Sequence, residues 1–253
     1  PWLLIRFFCV CGAALAAAKG LGYRAVMKLR PKHKRKPHIA PDLSAREGRK
    51  RANRELMWGD HHFLRLRFQN LHQISDEMWR SNQPSPKQIA EHAAERGIKT
   101  ILNLRGVSTK GYYLLEKEAC EANGIALVDF QVYSRDTPKI ETVLAAKDLF
   151  DTIAYPALMH CKSGADRAGL MSVLYMHFRQ GLPIDEAIQQ LSKKYLHLRE
   201  GKTGLLDHFF EAYLAYAEIG DLSFEDWVRT VYDPAEMTQA FLASGKDKLR
   251  LSA

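Results

Sequence analysis

The chain has 253 residues, 46% of them hydrophobic and 26% charged, which excludes a disordered protein and leaves room for one full-sized core plus an extension. Its formal net charge of +8 is uneven: residues 19–54 hold thirteen Lys and Arg against Asp42 and Glu47, a net of +11, so the basicity belongs to an N-terminal arm and the body is mildly acidic. Cys9, Cys11, Cys120 and Cys161 show no paired framework, which fits a reducing compartment better than a disulfide-stapled secreted domain.

Residues 1–26 open on PWLLIRFFCVCGAALAAA, an apolar stretch interrupted by Arg6. It is shorter than the roughly 20 apolar residues of a membrane span, and its positive charge mostly follows the apolar run, unlike a secretory signal. The segment is a candidate membrane anchor that would leave the body in the cytoplasm by the positive-inside rule; Met27 is an alternative start. Cys9 and Cys11 fit apolar fillers better than metal ligands. Residues 27–55 are basic, Pro-rich and poor in large apolar side chains, and are expected to be a flexible linker. Structure is expected to begin near Leu56, within a body spanning 56–253, where Asp60-His61-His62 reads as a polar loop and not a ligand set.

Glu77–Asn82 reads as a strand. Ser85-Pro86-Lys87-Gln88 is a capping box with Pro at the first helical position, and Gly97 stands where that helix should stop. Lys99–Arg105 is a buried strand, a helix runs from Gly111 to Asn123 and stops at Gly124, and Ile125–Val132 is a further strand. After the polar loop Tyr133–Pro138 come a helix from Pro138 to Ile153 and an apolar strand, Tyr155–Met159. Helices are expected at 168–180, 183–195 and 204–219 and from about 223. The order predicts an α/β fold with a mainly parallel central sheet flanked by helices and extra C-terminal helices. Ligands in such sheets bind beyond the carboxyl ends of the strands.

That is where HCKSGADRAG, residues 160–169, falls. A loop of small residues leading into a helix lets successive N–H groups converge, and the helix start adds about half a positive charge. Such surroundings favour a thiolate, so Cys161 is expected to be a nucleophile. Arg167 can offer two parallel N–H donors to a phosphoryl group, and Gly164 permits the tight mid-loop conformation. The pattern describes a pocket for a dianion with a nucleophile at its floor.

HCxxGxxR in this position resembles the signature of the cysteine-based protein tyrosine phosphatase superfamily, and the chain is most similar to its compact bacterial dual-specificity-like members. The likeness runs from about Ile74 to Gln180 and takes in MWRSNQPSPKQI, GIKTILNLRG and SRDTP in order. It implies Cys161 as nucleophile, phosphate held by Arg167 and the backbone of Lys162, Ser163, Gly164, Ala165 and Asp166, and a cysteinyl-phosphate intermediate formed without metal or cofactor. Such an intermediate needs an acid for the leaving oxygen and a base for water. Asp136, followed by Thr-Pro, matches the family's mobile acid loop, although a helix-capping Asp would look the same. Asp166 is the rival, because myotubularin-like lipid phosphatases carry an acid there. Asp129 reads as structural.

Ala168 departs from the pattern, since the family usually has Ser or Thr there to assist the departing thiolate; Ser163 could supply a hydroxyl instead. His197, Arg199 and Lys202 are expected to be solvated charge, and Gly201-Lys202-Thr203 lacks the strand and first glycine of a nucleotide-binding loop. The resemblance implies a phosphatase for phosphotyrosine or another phosphomonoester. Lys162, the basic arm and the apolar lead would also suit a phosphorylated lipid or lipid-linked sugar on an anionic membrane surface, and Ala168 keeps open a phosphate-binding pseudophosphatase. No nucleic-acid partner is expected.

Overall fold

A computed structural model describes residues 38–245; Cys9, Cys11, the whole 1–26 segment and the basic stretch up to Pro37 lie outside the described residues. The first helix, α1 (Arg46–Arg54), falls inside the stretch expected to be a flexible linker, and that reading is corrected for these residues. Arg and Lys are good helix formers, and the helix turns Ala52, fully buried, toward a neighbour whose backbone comes very close. That neighbour is Gly111, where a Cβ would stand 2.5 Å from the Ala52 Cα. A π-helical turn, Glu55–Gly59, and a 3-10 turn, His62–Arg65, follow.

The strands are β1 (His72–Ser75) and β2 (Met78–Asn82). The helix α2 (Pro86–Arg96) then starts on the expected capping box, with Ser85 and Gln88 exchanging both bonds, and stops at Gly97 with φ +61°. Next come β3 (Thr100–Asn103), α3 (Gly111–Ala122), β4 (Ala126–Asp129), α4 (Ile140–Thr152), β5 (Ala157–Cys161) and α5 (Asp166–Phe178). The sheet order is β1-β2-β5-β3-β4, antiparallel between β1 and β2 and parallel elsewhere. This is the mainly parallel sheet the sequence predicts.

Central β5 alternates its side chains between two cores. Leu158 packs with Ile89, Ile101 and Cys120 on the α2–α3 face. Ala157, Met159 and Cys161 join the larger core on the other face, with Phe150, Val173 and Phe209. Register places Asn82 beside Cys161 and Asn103 beside His160, so three parallel strands end together at the start of the signature loop.

The expected helix over 183–195 is corrected to a short α6 (Ile184–Ala187) and two 3-10 turns, Ile188–Gln190 and Lys193–Tyr195. Arg80 draws off the Gln190 carbonyl at 2.7 Å and Asn70 the Tyr195 carbonyl at 3.1 Å, which takes both acceptors out of a helical ladder. The chain closes with α7 (Leu205–Ala217), α8 (Phe224–Thr230) and α9 (Pro234–Ala243). Among the described residues no helix is long and apolar enough to cross a membrane.

Candidate active site

The loop from Cys161 to Arg167 joins β5 to α5, and its carbonyls are held by the scaffold. Lys162 O accepts from the Gln83 N–H at 3.4 Å and Ser163 O from Asn70 Nδ2 at 3.0 Å. Gly164 O and Ala165 O both accept from the Arg80 guanidinium at 2.9 Å. The N–H of each peptide points opposite to its C=O, so these four bonds turn the amides of residues 163–166 to the other side of the loop. The Gly164 amide shows where that side lies: it donates to Cys161 Sγ at 3.2 Å. Amides turned to one side at the start of a 13-residue helix are an arrangement that can receive an anion.

Gly164 is required twice over. Its φ is +74°, and a Cβ would stand 2.7 Å from Asn82 N and Ser81 C.

Arg80 is fully buried in β2. Besides the loop carbonyls it holds Gln190 O, and it lies 4.1 Å from the centroid of the Tyr195 ring. Burial pushes its pKa down to about 10, so it is still a cation at neutral pH, set directly under the loop. Asn70 does the same work beside it, joining Ser163 O to Tyr195 O. In the sequence Arg80 carries no assignable role; a charge in the middle of a strand, after Met78 and Trp79, is the available signal. Nothing local marked Asn70.

His160 is buried with Nε2 2.6 Å from Glu116 Oε1. Gln83 donates to the other Glu116 oxygen at 2.7 Å and accepts from Arg105 at 2.7 Å. Arg105 in turn grips both oxygens of Asp60, which Arg65 also binds at 2.6 Å. Burial works to raise the Asp60 pKa, but Arg105 and Arg65 outweigh it and hold the carboxyl below the usual range. The expected polar loop at Asp60-His61-His62 is therefore corrected at Asp60 and His62, both buried. Lys162 Nζ lies 3.3 Å from His61 Nδ1 and 3.9 Å from Asp60.

The two candidate acids sit in different settings. Asp136 is exposed and shares a depression of about 260 Å³ with Tyr133, Arg135 and Arg167. Its loop is fastened to the C-terminal helices by a hydroxyl contact between Thr137 and Thr238 and by Tyr232 Oη donating to Pro138 O at 2.7 Å.

Asp166 is bound instead to His197 Nδ1 at 2.8 Å, and His197 Nε2 lies 2.8 Å from Asp207. Burial works against a charged His197, but the bonds and charges of Asp166 and Asp207 prevail and push its pKa up to about 9. His197 is thus a buried cation pinning α7 to the first residue of α5, and the expectation of solvated charge is corrected for it. Arg199 pairs with Glu211 on the surface and Lys202 is exposed, as expected. Asp129 accepts from Tyr113 and Asn103, a structural role.

Ser163 is exposed, and Ala168 is fully buried. Below the loop Ser172 Oγ donates to Ala168 O at 2.6 Å. Among the described residues no group of His, Cys, Asp and Glu is arranged to hold a metal ion.

Residues 68–204 match a family model described as DSP-PTPase phosphatase fused to NAD+ kinase. Solved structures with a similar fold include Tk-PTP in its active form, 18% identical over 57% of this chain and 98% of that chain, with a TM-score of 0.46. PTPMT1 is 14% identical over 59% of this chain and 99% of that chain, with a TM-score of 0.45. TpbA of P. aeruginosa is 16% identical over 69% and 91%, with a TM-score of 0.44. A comparison with curated proteins finds no match.

Proposed function

Because the match over residues 68–204 spans more than half of the chain, this protein belongs to the family of DSP-PTPase phosphatases fused to NAD+ kinase, and from that premise we propose that it hydrolyses phosphomonoesters through a phosphocysteine on Cys161. The observation that carries the reading is the loop whose carbonyls from Lys162 to Ala165 are bound by Gln83, Asn70 and Arg80 while the Gly164 amide meets the cysteine sulfur. A phosphoryl dianion seated there would meet the amides of 163–166, the guanidinium of Arg167 and the Cys161 sulfur.

In the first step the Cys161 sulfur forms a bond to phosphorus as the bond to the leaving oxygen breaks, and Asp136 gives that oxygen its proton. In the second step water attacks phosphorus, Asp136 takes a proton from it, the S–P bond breaks, and inorganic phosphate leaves with the thiolate restored. Two observations support Asp136 over Asp166 as the acid: Asp136 lines an open depression together with Arg167, and Asp166 is bound to the cationic His197.

A phosphotyrosine side chain and a phosphorylated lipid make the same demand on this loop, so the surface around it must choose between them. The test of the chemistry is Cys161→Ser, which should abolish turnover while leaving phosphate-ester binding largely intact, set beside Arg167→Ala, which should lose both. Binding of phosphate esters with no turnover by the wild type would identify a pseudophosphatase.

A further inference from the structure

A cleft of about 490 Å³ opens over the signature loop, and two kinds of side chain line it: the cations Arg65, Lys162 and Arg167, and the apolar Leu64, Phe68 and Leu196. The three apolar side chains are 66%, 53% and 52% exposed. They are not scattered. Phe63, Leu66 and Leu198 are exposed beside them in the chain, and the exposed Trp58 ring stands 5.4 Å from that of Phe63. A contiguous exposed apolar patch marks a surface with a partner.

Leu196 is held at φ +64°, ψ +18°, a left-handed conformation unfavourable for a branched side chain. Asn70 fixes the adjoining Tyr195 carbonyl and Arg80 lies against its ring. The two residues that hold the loop carbonyls therefore also hold a strained leucine at the cleft. Strain that persists in this way points to function.

Charge says what the partner is. The segments 61–68 (HHFLRLRF) and 193–199 (KKYLHLR) interleave apolar residues with the exposed cations Arg67, Lys193 and Lys194, while Arg65 is taken up by Asp60 and Arg199 by Glu211. Interleaved apolar and basic side chains suit a bilayer interface, where the apolar groups enter the acyl boundary and the cations meet anionic headgroups. Peptide recognition by strand addition would use a sheet edge, whereas this cleft is built on turns and loops at the ends of the central strands.

We infer that the substrate is a lipid phosphomonoester carried by an anionic membrane, with Leu64, Phe68 and Leu196 seated at the headgroup–acyl boundary while the phosphate reaches Cys161. This rests on the phosphomonoesterase reading above.

The experiment uses the full chain and three probes. The first is a long-chain phosphatidylinositol monophosphate in phosphatidylcholine–phosphatidylserine vesicles, the second its soluble dibutyryl analogue, and the third a phosphotyrosine peptide. The wild type should favour the vesicle form over the dibutyryl form. The pair Leu64→Ser/Phe68→Ser should lower the ratio of the two kcat/KM values by about 10- to 30-fold, the scale expected when two half-exposed apolar side chains no longer enter an apolar phase. Leu196→Gly, which relieves the backbone and deletes the side chain, should lower the ratio as well, and keeps the test open if the pair fails to fold.

Three results would overturn the lipid assignment: a ratio that ignores these substitutions, a wild type that prefers the phosphopeptide to both lipid forms, or a dimer in solution that the substitutions dissociate. An activated aryl phosphate assayed in the wild type and Cys161→Ser checks the phosphatase chemistry separately, so an enzyme active on aryl phosphate but without a vesicle response sinks the lipid assignment alone.

Discussion

Replacing His197 by Gln removes a buried cation held between Asp166 and Asp207, each at 2.8 Å. The folded pKa of about 9 compares with about 6.5 for an unperturbed histidine, and a shift of that size corresponds to about 3 kcal/mol of stability. The folded state binds the proton more tightly, so this stabilisation is fully present below pH 6.5, declines as pH rises, and is gone above about pH 9. The substitution also leaves the buried Asp207 carboxylate without its counter-charge, and breaking such a buried pair costs about 3–5 kcal/mol. Urea unfolding of wild type and variant at pH 6 and pH 9.5 measures both effects. The wild type should exceed the variant by about 3 kcal/mol or more at pH 6, and the gap should shrink at pH 9.5 because the wild type falls. A gap equal at the two pH values, or no gap at pH 6, would refute the assignment of His197 as a buried cation.

Asp136→Asn should slow hydrolysis of a phosphotyrosine-type leaving group by about 10²–10⁴, the usual contribution of a general acid, and slow an activated aryl phosphate much less; the same pattern in Asp166→Asn and not in Asp136→Asn would reverse the assignment. Arg80→Met strips the donor from Gly164 O and Gln190 O and one of the two donors from Ala165 O, which keeps the Gly169 N–H at 2.7 Å, and at about 1–3 kcal/mol for each buried acceptor left unpaired it should weaken both stability and competition by inorganic phosphate; unfolding curves and inhibition constants that match the wild type would show that Arg80 does not hold the loop. Ala168 offers no hydroxyl to the departing thiolate, and unless Ser163 supplies one the second step would lack a donor worth about 1.5–3 kcal/mol, or roughly 10- to 150-fold in rate. Rapid mixing should then show a burst of leaving group that Ala168→Thr shrinks. Position 168 is fully buried, so the added atoms should also cost about 1–3 kcal/mol of stability, and Ala168→Ser is the gentler version of the same test.

What the sequence disclosed divides by the range of the interactions involved. The capping box at Ser85 and Gln88, the stop at Gly97 and the turn from Met159 into α5 depend on residues within a few positions of one another, and all were legible. The helix Arg46–Arg54 was not, because its composition resembles a solvated linker and its order comes from the meeting of Ala52 with Gly111. The break after α6 depends on Arg80 and Asn70, which lie 110 and 125 residues from the carbonyls they bind. At the site, Cys161, Gly164 and Arg167 announce themselves by spacing. His197 reads as surface charge until α7 brings Asp207 beside it, and nothing near Asn70 in the chain foretells that it braces the signature loop.

The covalent step on Cys161 is open to direct test. Wild-type enzyme mixed with an aryl phosphate, stopped in acid during turnover and mapped by mass spectrometry should carry phosphate on Cys161, and Cys161→Ser should carry none and release no product. Product formation with Cys161 unmodified at every time point, or turnover that persists in Cys161→Ser, would contradict it.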